Sequence, residues 1–263
     1  MNGLSSVSAN YQNRNYYLNS NPVRVQTEPY EDNTAKTVAA AGILQAFAIF
    51  LHKASEYCGN KLMQGKEFTT PENIKQTAKK MVKDNNLKVA VDYIDHNNIK
   101  TYSSHLREML EPVARGENAF YADGLKLAVA PKSKPSLILH ELGHAINAGK
   151  GKFMRFLQKS RGYVSAVPTA LLLANGLFAQ KDDKPNFIQR NAGKIGFLAF
   201  LPTIAEEGIA SLRGLKYAKK LKGVNLAPLK RNYFFAWMTY VIAGLGLGVA
   251  AKQAQLENKK QQR

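Results

Sequence analysis

An α+β fold that joins a small antiparallel sheet to long apolar helices is what this sequence predicts, on three observations. Residues 118–121 and 125–130 read as two short strands joined through Asp123-Gly124, a dipeptide that readily supplies the positive φ of a hairpin turn. Pro135-Ser136 then marks a helix start ahead of a periodic segment, 137–148. The remaining apolar residues are bunched into uncharged runs at 37–51, 163–179, 195–205 and 233–251, where an amphipathic soluble fold would spread them. At 263 residues the chain can hold one globular domain of ordinary size with additional helices.

Residues 1–36 are polar, with Asn-rich and Tyr-rich stretches and no apolar core of a secretory signal, and read as a disordered tail. The run 37–51 heads a hydrophobic helix over 37–62 that could serve as a membrane anchor, though it is shorter than the ~20 residues a span needs. From Gly65 the pattern becomes that of a soluble domain. Thr70-Pro71 opens a helix that runs to about Asn85 and carries Ile74, Ala78, Met81 and Val82 on one face. Residues 87–94 alternate and are rich in Val, as a strand would be, and Ser104 opens a helix with Leu106, Met109, Leu110 and Val113 on one side.

Beyond the sheet and its following helix, 163–179 and 195–205 form an apolar hairpin in which Pro168 and Pro202 would introduce kinks. The run 233–251 begins with Tyr, Phe and Trp and is the best candidate for a transmembrane helix, followed by a basic tail, 252–263. The domain of interest thus spans 65–220 and includes the hairpin 163–205. A bundle of soluble core helices is the competing reading of the same runs.

The formal charge of +18, from 37 Lys and Arg against 19 Asp and Glu, suits nucleic acid or an anionic lipid surface. Placement favours lipid, because the excess lies in 150–161 and 213–231, each beside an apolar run. No zinc-finger spacing and no aromatic RNA-binding motif is present, so nucleic acid is not expected as a partner. The single Cys58 excludes an intrachain disulfide and a thiolate metal cluster.

The chemistry lies in His140-Glu141-Leu142-Gly143-His144. Histidines four apart on a helix stand one turn above each other, so both imidazoles can reach one ion. Glu141, about 100° round the helix, cannot join them and is left to act on a water. Neutral nitrogens suit Zn²⁺, the ion draws the pKa of a bound water toward about 7, and a carboxylate accepts its proton. Gly143 and Ala145 would let a neighbour pack closely against this helix. A catalytic zinc needs a third protein ligand, and the candidate stretch is Ala205-Glu206-Glu207-Gly208-Ile209-Ala210-Ser211, whose carboxylates terminate an apolar run.

Together, His140 to His144, the apolar hairpin and Glu207-Gly208-Ile209-Ala210-Ser211 resemble the gluzincin membrane zinc metallopeptidases, in particular the HtpX and CAAX prenyl protease group. The E-x-x-A-S form is also similar to the YugP-like neutral zinc peptidases. The order Asn118-Ala119-Phe120, strand, H-E-x-x-H helix extends the resemblance backward, over roughly 118–220. It implies a zincin-like catalytic domain with three or four membrane-associated helices, and Zn²⁺ held by His140, His144 and Glu207. Glu141 would be the general base, and a peptide or protein substrate would lie along Asn118, Ala119 and Phe120 as an added strand. Ser211 stands where the first group has Asp, which would orient a ligand histidine from outside the coordination sphere. The resemblance further implies proteolysis in membrane-protein quality control or processing. His52, His96 and His105 match nothing.

Register selects Glu207 over Glu206 as ligand, because Glu207, Ala210 and Ser211 share one helix face, whereas Glu206 would leave no polar supporting partner. An antiparallel hairpin returns Glu207 to the membrane face that carries the histidines. That face is richer in Lys and Arg than the turn 181–194, where Asp182 and Asp183 offset the charge, so the site should face the cytoplasm of an integral membrane protein. Two other readings stay open: a catalytically weak, metal-binding membrane adaptor, and a basic membrane-surface or nucleic-acid-binding module. Oligomeric state is not legible in the sequence.

Overall fold

A computed structural model describes residues 33–158, 170, 172, 174 and 186–261. Most of the tail 1–36, nearly all of the first hairpin arm 163–179 with Pro168, and Asp182 and Asp183 lie outside the described residues.

The described residues are mostly helical, with one small three-stranded sheet among them. In chain order the elements are α1 (Asn33–Met63), α2 (Pro71–Asp84), β1 (Ala90–Ile94), α3 (Ser104–Ala114), β2 (Phe120–Ala122), β3 (Leu127–Pro131) and α4 (Leu137–Gly149). A short helical segment, 151–158, comes next, and two long helices follow: α5 (Phe187–Ala218) and α6 (Ala227–Gln261).

Local chemistry accounts for the helix starts. Thr70 caps α2, its side-chain oxygen accepting from the Asn73 amide, with Pro71 in the first turn where no N–H is needed. Asn186 opens α5 with a reciprocal capping box in which Gln189 reaches back to the Asn186 amide.

The sheet has the order β1-β3-β2, with β3 in the middle. The hairpin expected around Asp123-Gly124 is present, β2 pairing antiparallel to β3 from Phe120 opposite Val129 to Ala122 opposite Leu127. The expectation of an antiparallel sheet is corrected for the third strand: β1 runs parallel to β3, Ala90 opposite Leu127 and Ile94 opposite Pro131. Its chain returns through α3 before entering the hairpin, and that crossover is the connection a parallel pair requires.

Strand alternation divides the core. Ala128 and Ala130 of β3 face Ile74, Ala78 and Met81 of α2 and Ile138, Leu142 and Ile146 of α4. Val129 turns the other way, onto Leu110 and Val113 of α3 and Phe120 of β2. The small alanines let α4 sit directly on the middle strand, so the sheet forms a rigid floor beneath the H-E-x-x-H helix.

The long helices exceed the apolar runs that announced them. The run 195–205 lies within a 32-residue α5 that continues through Pro202, and 233–251 lies within a 35-residue α6. Both are long and apolar enough to cross a membrane. They touch backbone to backbone at glycines, as apolar helices do where small residues permit: a methyl group at Gly248 would stand 2.7 Å from the Gly193 carbonyl oxygen. Nearer the site, the indole N–H of Trp237 in α6 donates to the Ile204 carbonyl of α5 at 2.9 Å. Helix α1 lies along α6, joining Leu51 and Cys58 to Ile242 and Val249, with Tyr57 edge-on to Phe235.

Candidate metal centre

Helices α4 and α5 meet over a contact that only small residues allow. A methyl group at Gly143 would lie 2.3 Å from the carbonyl oxygen of Ala210, and one at Gly214 would lie 2.9 Å from that of Leu139. The two helices are antiparallel, so successive turns pair Leu139 with Gly214, Gly143 with Ala210, and His144 with Glu206 and Glu207. Tyr233 of α6 fixes the start of α4, its hydroxyl donating to the Ser136 carbonyl at 3.2 Å and its ring 5.7 Å from that of His140.

Three donor atoms converge in the resulting crevice. His140 Nε2 and His144 Nε2 are 3.0 Å apart, and Glu207 Oε2 is 3.2 Å from the first and 3.5 Å from the second. Ligand atoms about 2.0–2.1 Å from a tetrahedral ion stand about 3.3–3.4 Å from one another, so this triangle has the size a small divalent cation requires. His140, His144 and Glu207 are thus close enough to hold a metal ion. The Glu207 side chain is 2 % exposed and that of His140 13 %, so the triangle is buried on the α5 side and reachable past His140.

The second nitrogen of each imidazole is also engaged. His140 Nδ1 is 3.0 Å from Ser211 Oγ. His144 Nδ1 is 2.8 Å from Glu206 Oε1, which also accepts from Asn147 Nδ2 at 2.9 Å. Arg213 Nε in turn donates to Asn147 Oδ1. With both Nδ1 positions held by oxygen partners, each Nε2 is directed into the triangle, as partners beyond the ligands do in metal centres.

Electrostatics add a coupling. Burial opposes a charged imidazole at His144, but the carboxylates of Glu206 and Glu207 outweigh it and hold its pKa up at about 10. A metal entering between the same groups must displace that proton, so binding there releases protons and weakens as pH falls.

Glu207, preferred by register as the third donor, is the carboxylate in the triangle, but Glu206, passed over for that role, is fully buried and holds His144. Its side chain reaches the far nitrogen of the later histidine while Glu207 reaches the near one, so both carboxylates face α4 despite their separation around α5. Asn147 and Arg213, which complete this chain, were not singled out either; the signal available was Asn147 lying three residues after His144, next to it on the helix surface. Glu141 is buried in α4. Phe120 lies in β2, at the sheet edge, and Asn118 and Ala119 lead into it. His52, His96 and His105 are exposed and form no part of the donor triangle.

Comparisons with models of protein families, with curated proteins and with solved structures give no match.

Proposed function

We propose that the protein is a membrane-embedded zinc metalloendopeptidase of zincin-like architecture, related in its chemistry to the gluzincin membrane peptidases. One observation carries this reading: two imidazole nitrogens and a carboxylate oxygen, spaced 3.0–3.5 Å apart, lie on a helix pair whose next residue after the first ligand is Glu141. Two neutral nitrogens and one carboxylate form a ligand set that zinc takes in peptidases, leaving a fourth position for water or substrate.

Zinc bound there supplies Lewis acidity, polarising a scissile carbonyl and acidifying water. This chain's residues do the rest. Glu141 accepts the proton of the attacking water and returns it to the leaving amine. Ser211 and Glu206 keep the imidazoles aimed, and a peptide pairs with the outer edge of β2 near Asn118, Ala119 and Phe120, where main-chain hydrogen bonds bind it regardless of side chains.

Membrane insertion is supported by α5 and α6, whose apolar windows are only 44 % and 28 % buried within the protein. A soluble core helix hides more of itself. Helix α1 adds an outward apolar face, Ile43, Phe47 and Phe50, beside the level at which it packs on Ile242 and Val249, and belongs to the same membrane layer. The flanks 150–161 and 213–231 at the site end are richer in Lys and Arg than the turn 181–194, where Asp182 and Asp183 offset the charge, and this favours a centre on the cytoplasmic side.

The test is metal content of the purified protein beside a His140→Ala variant, together with metal-dependent cleavage of unfolded casein. Stoichiometric zinc lost in the variant, with chelator-sensitive cleavage, is expected. Zinc without cleavage would favour the adaptor reading, and no metal at all would overturn the site.

A further inference from the structure

The segment 151–158 carries three chemically distinct faces. At about 100° per residue, Leu157, Met154 and Gln158 fall together; Leu157 is buried, and Gln158 donates from its side-chain amide to the His144 carbonyl at 3.1 Å. That face docks on the end of α4. Phe153 and Phe156, three apart on the next sector, are 70 % and 60 % exposed. Lys152 and Arg155 form the third sector, exposed like Lys150 just before it. No Asp or Glu occurs between Glu141 and Asp182 to offset this charge.

Position gives these faces a common partner. Because α4 and α5 are antiparallel, the register that pairs Leu139 with Gly214 and His144 with Glu206 carries the end of α4 toward Thr203 and the apolar part of α5. The segment therefore lies where the soluble domain gives way to the proposed spans. Two exposed phenylalanines flanked by cations at that level match an anionic phospholipid surface, which takes aromatic rings at its acyl boundary and Lys and Arg among its headgroups.

We propose that 151–158 is an interfacial anchor: Phe153 and Phe156 enter the boundary of an anionic leaflet while Lys150, Lys152 and Arg155 hold its phosphates, seating the metal centre at the bilayer surface. The inference rests on the membrane reading above but not on zinc or catalysis.

Spin labels attached to Phe153→Cys and Phe156→Cys, in a Cys58→Ala background reconstituted into phosphatidylcholine vesicles with and without phosphatidylglycerol, test it. Leu198→Cys on α5 serves as a lipid reference and Lys100→Cys on the soluble domain as an aqueous one. Labels at 153 and 156 should show a several-fold higher ratio of oxygen to nickel-chelate accessibility than the label at 100. Adding Lys152→Glu and Arg155→Glu should lower that ratio, most strongly in the anionic vesicles. Phe153→Trp in a Trp237→Phe background, quenched by brominated lipid, gives an independent reading of depth. Labels at 153 and 156 that match the one at 100 while 198 reads lipid would overturn the anchor alone. A water-exposed label at 198 would overturn the membrane reading and the anchor together. Lipid contact unaffected by phosphatidylglycerol or by charge reversal would overturn the anionic specificity.

Discussion

Gly143 and Ala210 touch main chain to main chain: a methyl group on the first would stand 2.3 Å from the carbonyl oxygen of the second. Ordinary contact needs on the order of 1 Å more, and backbone cannot yield as a side chain can. Gly143→Ala should therefore push α4 and α5 apart. Alanine's helix propensity returns ~1 kcal/mol, whereas overpacking costs ~1–3 kcal/mol, so the substitution should lower thermal stability. Zinc affinity should fall as well, since the ligand triangle spans the same gap. A variant as stable and as metal-competent as the parent would contradict the contact.

The two adjacent carboxylates should separate by degree. Glu207→Ala removes one of the three donor atoms of the proposed zinc site and should abolish tight zinc binding. Glu206→Ala leaves the ligands in place but frees His144 Nδ1 and Asn147, and affinity should drop by about 10–100-fold. Glu206→Gln keeps an acceptor oxygen for His144 and should fall between. Competition titration against a chromophoric chelator checks the order, and parental affinity in Glu206→Ala would refute the role given to Glu206.

Glu141→Gln should retain zinc while casein cleavage falls by about 10²–10⁴-fold, the usual contribution of a general base. The amide is nearly the same size and cannot take up a proton. Loss of zinc in this variant, measured by metal analysis, would mean that Glu141 supports the site instead of acting on water.

A pH effect is expected at Glu67, whose Oε1 accepts from Ser136 Oγ at 3.0 Å just before α4. Burial raises its pKa, outweighing the hydrogen bonds from Ser136 and the attraction of Lys134. A folded-state pKa above the unfolded value means that the unfolded chain loses this proton more readily. The penalty is absent below the unfolded pKa, grows as pH rises through the interval to the folded one, and is constant above it. Glu67→Gln should accordingly raise the melting temperature at neutral pH and leave it unchanged in acid. Detergent-solubilised thermal scans across that range provide the comparison.

What could be read from the residues depended on range. His140, His144, Glu207 and Ser211 were legible because each pair lies four apart on one helix, and helical periodicity alone puts them on a common face. Glu206 was not, because direction around α5 does not fix how far a glutamate side chain reaches, nor that the second nitrogen of His144, one turn along α4, stands within its range. The hairpin at Asp123-Gly124 was legible from its turn chemistry. The parallel pairing of β1 with β3 was not, since strand direction there follows from the path through α3. Apolar runs located α5 and α6 but understated them, because charged and polar residues continue each helix beyond its apolar stretch.

The donor triangle also joins two parts of the chain that are far apart in sequence: His140 and Glu207 are 67 residues distant. An ion bound by both would act as a reversible crosslink, tying the sheet-bearing part of the chain to α5. Closing a loop of that length restricts the unfolded chain far more than the folded one. Metal supply would then set how long the folded protein survives, and chelation should lower the temperature at which α4 and α5 come apart in thermal scans.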